Sequence, residues 1–346
     1  MQRLNITEKA PSELMIIYRK VLWMGITLLA PEFTALIAFD QWRKSRHVQE
    51  MHEVGLTWWM PIHGFYADMG GIVVKLSNDR PHFLAKQTGT TFETDEGTKY
   101  TIGTKDLRTL VARNILPLPR ISRDSILDKS KTDNFAKSIT AFQVLCFTIE
   151  RFARLIQHMP IALLEISTLA FIACSAMILF FWWDKPLDVR TPMTFTIPPN
   201  KTDEFIRLYP ELDRTPDEQE VAERLNYWQW YTDLVEHRKY KAKHALWIGS
   251  TFNSIHLAAW NHSFPTYAEK ILWRVCSIGA WAAAILFFLT IFMRRGRLQW
   301  TLAIMIGIIL ALTSRCALIV GALIELRALP GKAYADVPWK DFLPHV

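Results

Sequence analysis

IALLEISTLAFIACSAMILFFWW (161–183) is the stretch that decides how this chain is read. It stays apolar for longer than a buried core helix requires and closes on a Trp pair. Such a run matches the ~30 Å hydrocarbon core of a bilayer, which a helix crosses in roughly 18 to 25 residues. Working outward, residues 21–39, 58–74 and 271–293 have the same character. Residues 298–326 are long enough for one tilted helix, or for a span broken near Arg315. Residues 139–157 are interrupted by Glu150, Arg151 and Arg154, and form either a span facing protein or an interfacial helix. Counting that run as a span, the expected fold is an all-α polytopic transmembrane helix bundle of about six spans with two polar extramembrane segments. The run 245–260, with Ser250, Asn253, Ser254 and His256, is short and polar and reads as re-entrant or interfacial. Were it a full span, the count would be seven.

In order along the chain this gives an N-terminal region with two spans (1–75), a polar segment (76–138), two spans (139–183), a second polar segment (184–270), and the last spans with a tail (271–346). The polar segments are structured rather than low in complexity. Residues 83–102 alternate Thr, aromatic and charged residues around Glu96-Gly97 as a hairpin does. Residues 105–114 have helical spacing, Pro117 and Pro119 interrupt it, and Ser122 can cap a helix running into the run 139–157. The second segment carries the acidic stretch 213–223 and a helical pattern through Tyr227-Trp228-Gln229-Trp230.

Trp42, Trp58, Trp59, Trp182, Trp183, Trp273 and Trp300 flank the runs, where amphipathic rings favour the headgroup layer. The 4 cysteines, Cys146, Cys174, Cys276 and Cys316, fall within runs without metal-ligand spacing and read as buried thiols. No small-residue cleavage site precedes the first run, which is expected to serve as the signal itself. With six spans, the basic clusters Arg43–Arg46, Arg151 with Arg154, and Arg294–Arg297 share one side, the cytoplasmic one by the positive-inside rule. The sequons at Asn5, Asn200 and Asn261 then all fall on the lumenal face and are candidate glycosylation sites. Arg19 and Lys20 oppose that orientation. The expected location is the endoplasmic reticulum or another secretory-pathway membrane, or the plasma membrane. The net charge of +7 comes with no basic-aromatic stripe suited to nucleic acid. The expected partners are the bilayer and a hydrophobic small molecule, with oligomerisation left open.

No Walker loop, G-x-G-x-x-G, G-x-S-x-G or H-E-x-x-H is present. Closely spaced histidine boxes and paired aspartate-rich motifs are also missing, which disfavours desaturation and metal-dependent prenyl transfer. His47 and His52, or His256 and His262, are not spaced to share a helical face. No metal and no cofactor is expected.

The ionisable residues within the runs carry the functional reading, since such residues usually face the bundle interior and mark a pathway or a reaction centre. Glu32 and Asp68 fall near the middle of the first two runs. Gly64, Asp68 and Gly71 share one face, so that a neighbouring backbone can approach the Asp68 carboxyl. His63 precedes Asp68, and Pro31 frees a carbonyl beside Glu32. Two buried carboxyls brought together do not both ionise, and one kept protonated in an apolar pocket is a competent general acid. Glu32, Asp68 and His63 are therefore the catalytic candidates. Trp59, Phe65 and Arg315 are the substrate-binding candidates, with Arg315 or Arg274 supplying counter-charge. The alternative is that Glu32, Asp68 and Arg315 form a polar network that only holds the bundle together, and Glu165 reads as structural.

The strings WWMPIHGFYADMGG (58–71), DKSKTD (128–133), PIALLEISTLAF (160–171), WWDKPLDV (182–189), IHLAAWNHSFPTYAEKILWRV (255–275) and the tail from 326 resemble a large family of fungal multipass membrane proteins. They are spread over most of the chain and are specific as a set. The resemblance implies a fungal integral membrane protein. In multipass character and acidic placement the chain is also similar to membrane-bound terpene cyclases of fungal biosynthetic clusters. Those enzymes protonate an epoxide on a prenyl chain with buried acids and no metal. Two classes of function follow. One is a membrane-embedded, cofactor-free cyclase or isomerase in which a carboxyl moves a proton and aromatic rings stabilise cations. The other is a cation channel or transporter using the same carboxylates. A non-catalytic structural membrane protein is the third reading.

Overall fold

Two helices rather than one follow the N-terminal residues, α1 (Glu13–Leu29) and α2 (Pro31–Ser45). The chain bends by 111° between them. Pro31 has no N–H to continue the ladder and restricts Ala30 before it, so the helix stops and restarts there. The expected span 21–39 is thus a broken pair. The computed structural model describes residues 13–76, 99–128, 134–187, 191–209, 238–292, 297–335 and 337. Asn5, the turn around Glu96-Gly97, and the stretches 213–223 and 227–230 lie outside them.

The expected span 58–74 is corrected too. After α3 (Val48–Glu53), the helix α4 (Pro61–Asp68) has only 8 residues and the chain continues as a strand, β1 (Ile72–Leu76). Pro61 suits a first helical turn. At the other end Gly70 adopts φ +86°, Gly70 N–H donates to Ala67 O at 3.0 Å, and Gly71 N–H donates to Tyr66 O at 2.8 Å. That is a complete Schellman stop, which a left-handed glycine makes inexpensive. A Cβ on Gly71 would stand 2.6 Å from the Tyr66 ring. Ile72, Val73 and Val74 are all buried because β1 is the middle strand of a three-stranded sheet ordered β2-β1-β3. β2 (Lys99–Thr101) pairs antiparallel and β3 (Met193–Ile197) parallel, with Val74 opposite Tyr100 and Phe195. An apolar run buried on both faces of a sheet imitates a membrane span in composition. The all-α expectation is therefore wrong in this region, although most of the molecule is helical.

The helices α5 (Thr104–Ala112) and α6 (Arg123–Asp128) fall where the spacing placed helices, and Ser122 Oγ caps α6 by accepting from Ser125 N–H at 3.1 Å. With α9 (Thr202–Leu208), they complete the first of two compact units, built from Met1–Ile16, Phe39–Asp133 and Phe181–Leu234. Its core joins Trp59, Tyr66, Ile72, Leu107, Ile126 and Phe205.

The second unit comprises Ile17–Ala38, Asn134–Phe180 and Val235–Val346. It holds α1 from Ile17 on, the start of α2, α7 (Asn134–Ile156), α8 (Leu163–Phe181, as far as Phe180), α10 (Arg238–Ala258), α11 (Tyr267–Phe292) and α12 (Arg297–Glu325). Among the described residues three helices are long and apolar enough to cross a membrane, at Leu163–Phe181, Tyr267–Thr290 and Thr301–Ala328. The bent pair Lys20–Leu29 and Pro31–Glu53 makes up to four, in place of the expected six or seven. Val275, Ile278, Ile285, Ile306, Ile309 and Val320 are exposed, the reverse of a water-soluble bundle and what a lipid solvent permits. Helices α11 and α12 pack closely through small residues, and a Cβ on Gly279 would stand 2.7 Å from Ser314 Oγ. The protein is a helical membrane protein with a separate mixed α/β unit.

Candidate functional site

The break between α1 and α2 is stitched by its own hydrogen bonds. Ala30 O accepts from Phe33 N–H at 3.1 Å and from Thr34 N–H at 3.3 Å, and the Thr27 and Thr34 hydroxyls meet at 3.2 Å. This places Glu32 in the first turn of α2, where unpaired N–H groups favour a carboxylate.

Arg315, from α12, donates through Nη2 to Glu32 Oε1 at 2.7 Å. Its side chain is 3% exposed and that of Glu32 24%. The guanidinium carbon lies 3.7 Å from the centroid of the Phe252 ring on α10, a close cation–π contact. Phe252 packs in turn against Ala170 and Cys174 of α8. One turn on, the His256 ring lies 4.7 Å from Phe252. His256 Nδ1 is 3.1 Å from Phe252 O, and a carbonyl can only accept, so Nδ1 carries the hydrogen and Nε2 is the acceptor nitrogen. Trp273 Nε1–H donates to His256 O at 3.2 Å, closing an aromatic wall.

Three atoms of the pair lack a hydrogen-bond partner among the described residues: Glu32 Oε2, Arg315 Nε and Arg315 Nη1. A buried pair repays the loss of its hydration only when its remaining donors and acceptors are also met. Here an acceptor and two donors remain available, side by side and out of water.

The other expected site residues lie in the first unit. Asp68 ends α4 and accepts from Thr104 N–H at 2.9 Å through Oδ1, serving as an external cap on the first turn of α5. Thr104 Oγ1 donates to Gly64 O at 3.3 Å. Gly64 does admit a close neighbour, since a Cβ there would stand 3.0 Å from Ser45 Cα. His63 Nδ1 accepts from Met60 N–H at 3.0 Å, so Nε2 carries the hydrogen and donates to Ile121 O at 3.0 Å. Burial pushes its pKa below the ordinary value of 6.5. Trp59 and Phe65 are buried core side chains, with the Trp59 ring 5.3 Å from that of His63. Glu32 and Asp68 thus belong to different units, and each is held by a partner of its own unit rather than by the other carboxyl. Phe252, His256 and Cys174, which do meet at the Glu32–Arg315 pair or beside it, were missed. The available signal was the i, i+4 spacing of Phe252 and His256 in a stretch set aside as polar.

Elsewhere in the second unit several other charged side chains have partners, although Arg151 Nε and Arg154 Nε are also buried without one among the described residues. Glu165 Oε2 accepts from Ala162 N–H at 3.1 Å and its other oxygen pairs with Arg151, which also meets Glu150. Arg154 donates to the carbonyls of Pro160, Ala333 and Ala335. Glu325 accepts from Leu163 N–H at 2.6 Å and pairs with His262. Arg274 donates to Trp260 O and stacks on the Trp260 ring, so it supplies no counter-charge to either candidate carboxylate.

Residues 23–223 match the model of a family of unknown function, DUF8562. The chain belongs to that family. No curated protein and no solved structure matches it. The DUF8562 match takes in the α1–α2 break, Glu32, Cys174 and the Asp68–His63 region, whereas Phe252, His256 and Arg315 come from residues beyond it.

Proposed function

We propose that this protein is a membrane-embedded, metal-independent isomerase or cyclase of a lipophilic, isoprenoid-type substrate, working by proton transfer at Glu32. One observation carries the reading: Oε1 of Glu32 is fixed by Arg315 while Oε2 is buried without a partner among the described residues. A carboxyl held in that way is oriented, dry, and has one oxygen available to carry a proton. Phe252 and Trp273 supply aromatic faces nearby, suited to an apolar substrate and to positive charge developing on it. Asp68 and His63 drop out of the catalytic set, because their hydrogen bonds already hold α4 to its neighbours.

The same pair counts against cation passage, since the guanidinium of Arg315 fixes a positive charge beside Glu32, the carboxylate of the cluster among the described residues. The setting we propose is a secretory-pathway membrane of a fungus, in secondary metabolism. The sequon residues Asn200 and Asn261 are exposed at 3-10 turns, which suits glycosylation. We read α7 as a further membrane crossing. Phe135, Ile139, Phe142, Ile149 and Phe152 form an exposed stripe along it, and its Glu150, Arg151 and Arg154 gather towards one end.

The test is expression of the full chain in a heterologous fungal host fed prenylated phenols bearing epoxide or ketone groups, with products followed by mass spectrometry. The expected result is a new isomer of unchanged mass. Glu32→Gln should lower its yield by roughly 10²–10⁴-fold at unchanged expression, the usual contribution of a general acid or base. Unchanged substrate alongside a voltage-clamp cation current would move the assignment to a channel.

A further inference from the structure

The two kinds of unpartnered atom in the Glu32–Arg315 pair differ in what they can do, and the difference selects a reaction. Glu32 Oε2 is an acceptor; Arg315 Nε–H and Nη1–H are donors. Their neighbours are Phe252 beneath the guanidinium, and Cys174 and Ala170 packed against Phe252. A ligand completing this site must bring a hydrogen-bond-accepting oxygen to Arg315 and a transferable hydrogen to Glu32. Its remainder must be largely apolar, because Phe252, Ala170 and Cys174 are, with His256 the polar neighbour one turn on. The charge balance points the same way. Arg315 is already met by one carboxylate, so a neutral oxygen fits the site better than a second anion, whose charge would go unanswered in an apolar surrounding.

Resting on the reading of Glu32 as the proton-transfer group, we infer that the substrate is a lipophilic unsaturated ketone and that the reaction is a proton shift along the carbon chain next to its carbonyl. The carbonyl oxygen accepts hydrogen bonds from Arg315. Glu32 Oε2 removes a proton from the carbon between the carbonyl and the double bond, breaking a C–H bond and forming an O–H bond. The electron pair moves into the carbonyl, and the negative charge on its oxygen is held by Arg315, in the manner of an oxyanion hole. Glu32 then returns the same proton to the far end of the allylic system, giving the conjugated ketone. Atoms and charge balance, and no oxidant, reductant or second substrate takes part. Glu32 acts first as base and then as acid. Arg315 contacts the reacting oxygen and is a catalytic residue in this scheme.

The purified full chain in lipid nanodiscs is offered a prenyl-chain β,γ-unsaturated ketone, and formation of the conjugated ketone is followed by its absorbance, with mass spectrometry showing unchanged mass. An epoxidised prenyl-phenol is offered in parallel. Wild type should conjugate the ketone, and Glu32→Gln should lose at least roughly 10²-fold of that rate. Arg315→Lys should lower kcat by roughly 10²–10³-fold with a smaller change in KM, as removal of an oxyanion donor does. A purely structural arginine would lower the amount of folded protein while leaving kcat per folded molecule unchanged, and that result overturns the inference. Wild type alone decides the matter if the arginine variant does not fold. Cyclisation of the epoxide without conjugation of the ketone removes the ketone assignment and leaves Glu32 as a proton-transfer group. Failure with both substrates, from protein shown to be folded, removes both.

Discussion

In the first unit, His63 uses both ring nitrogens on backbone partners and Asp68 accepts from the first turn of α5, so these polar groups are tied into the fold. In the second, Glu32 and Arg315 meet through one hydrogen bond and leave three buried polar atoms unmet. The physical lesson is that a polar group held on every side is a fastener, whereas one left with free valence in a dry surrounding is held ready for something else. An unpaired buried donor or acceptor costs about 1–3 kcal/mol, so a fold that retains three of them has a destabilised spot that a ligand would relieve.

The largest stability effect expected is at Arg315. Replacing it by Met leaves the Glu32 charge buried alone and should destabilise the second unit by about 3–5 kcal/mol. Adding Glu32→Gln to that variant should restore much of the loss, since no uncompensated charge then remains. Denaturation of the four proteins of this cycle in one micelle system measures the coupling. If the two single losses simply add, the pair is not a unit and the contrast with the first unit collapses.

His63→Ala comes next. It leaves Ile121 O buried and unmet and removes the partner of the half-buried Met60 N–H, and should cost the first unit about 1–3 kcal/mol. Hydrogen–deuterium exchange of peptides covering α4 should accelerate accordingly, while turnover per folded molecule stays at the wild-type value. A loss of turnover at unchanged α4 protection would return His63 to the catalytic set.

What the residues could and could not reveal follows the same division. The runs 161–183, 271–293 and 298–326 were legible because each is predominantly apolar and matched by one helix, the last without the break near Arg315 that its charge allowed. The run 58–74 misled because hydropathy does not distinguish lipid from the two buried faces of a central strand. The punctuation was present in Pro61 and Gly70-Gly71, whose cap geometry ends α4 before Ile72. Pro31 marked an interruption, but the 111° bend depends on the hydroxyl pair and carbonyl contacts that lock it. Arg315 was singled out as a counter-charge from its place in an apolar run. That it takes Glu32 rather than Asp68 is a long-range choice of folding, as is the seating of Phe252 beneath it, and neither is written in spacing. Asp68 and Glu32 are equivalent as letters in an apolar run, and only their partners separate them.

Asp68→Ala should be milder than either substitution above, about 1 kcal/mol, the usual cost of removing a side-chain acceptor at a helix start. Asp68→Asn should cost only a few tenths, because the amide oxygen can still accept from Thr104 N–H. The ratio of the two, read from exchange of peptides covering α5, separates a capping role from a need for negative charge. Equal losses would show that the charge itself is required.

The smallest effect is the pH dependence of the first unit, and its sign is fixed by the direction of the His63 shift. Desolvation favours the neutral ring, and the hydrogen bond that the ring donates to Ile121 O offsets this only in part, so the folded pKa lies below 6.5. In the unfolded chain the ring protonates near its ordinary value. Between the folded pKa and about 6.5, the unfolded state therefore binds more protons than the folded one, and stability rises with pH across that window. Stability should be steady above neutrality, decline as pH falls through about 6.5, and level off once the folded ring also protonates. Protonation would also take away the Nδ1 lone pair that accepts from Met60 N–H, so the decline should appear first as loss of protection at the start of α4. Exchange rates of that peptide, normalised to intrinsic rates at each pH, should show this trend in wild type and lose it in His63→Gln. A trend that survives the substitution would assign the acid sensitivity to another group and remove His63 as the titrating fastener of this unit.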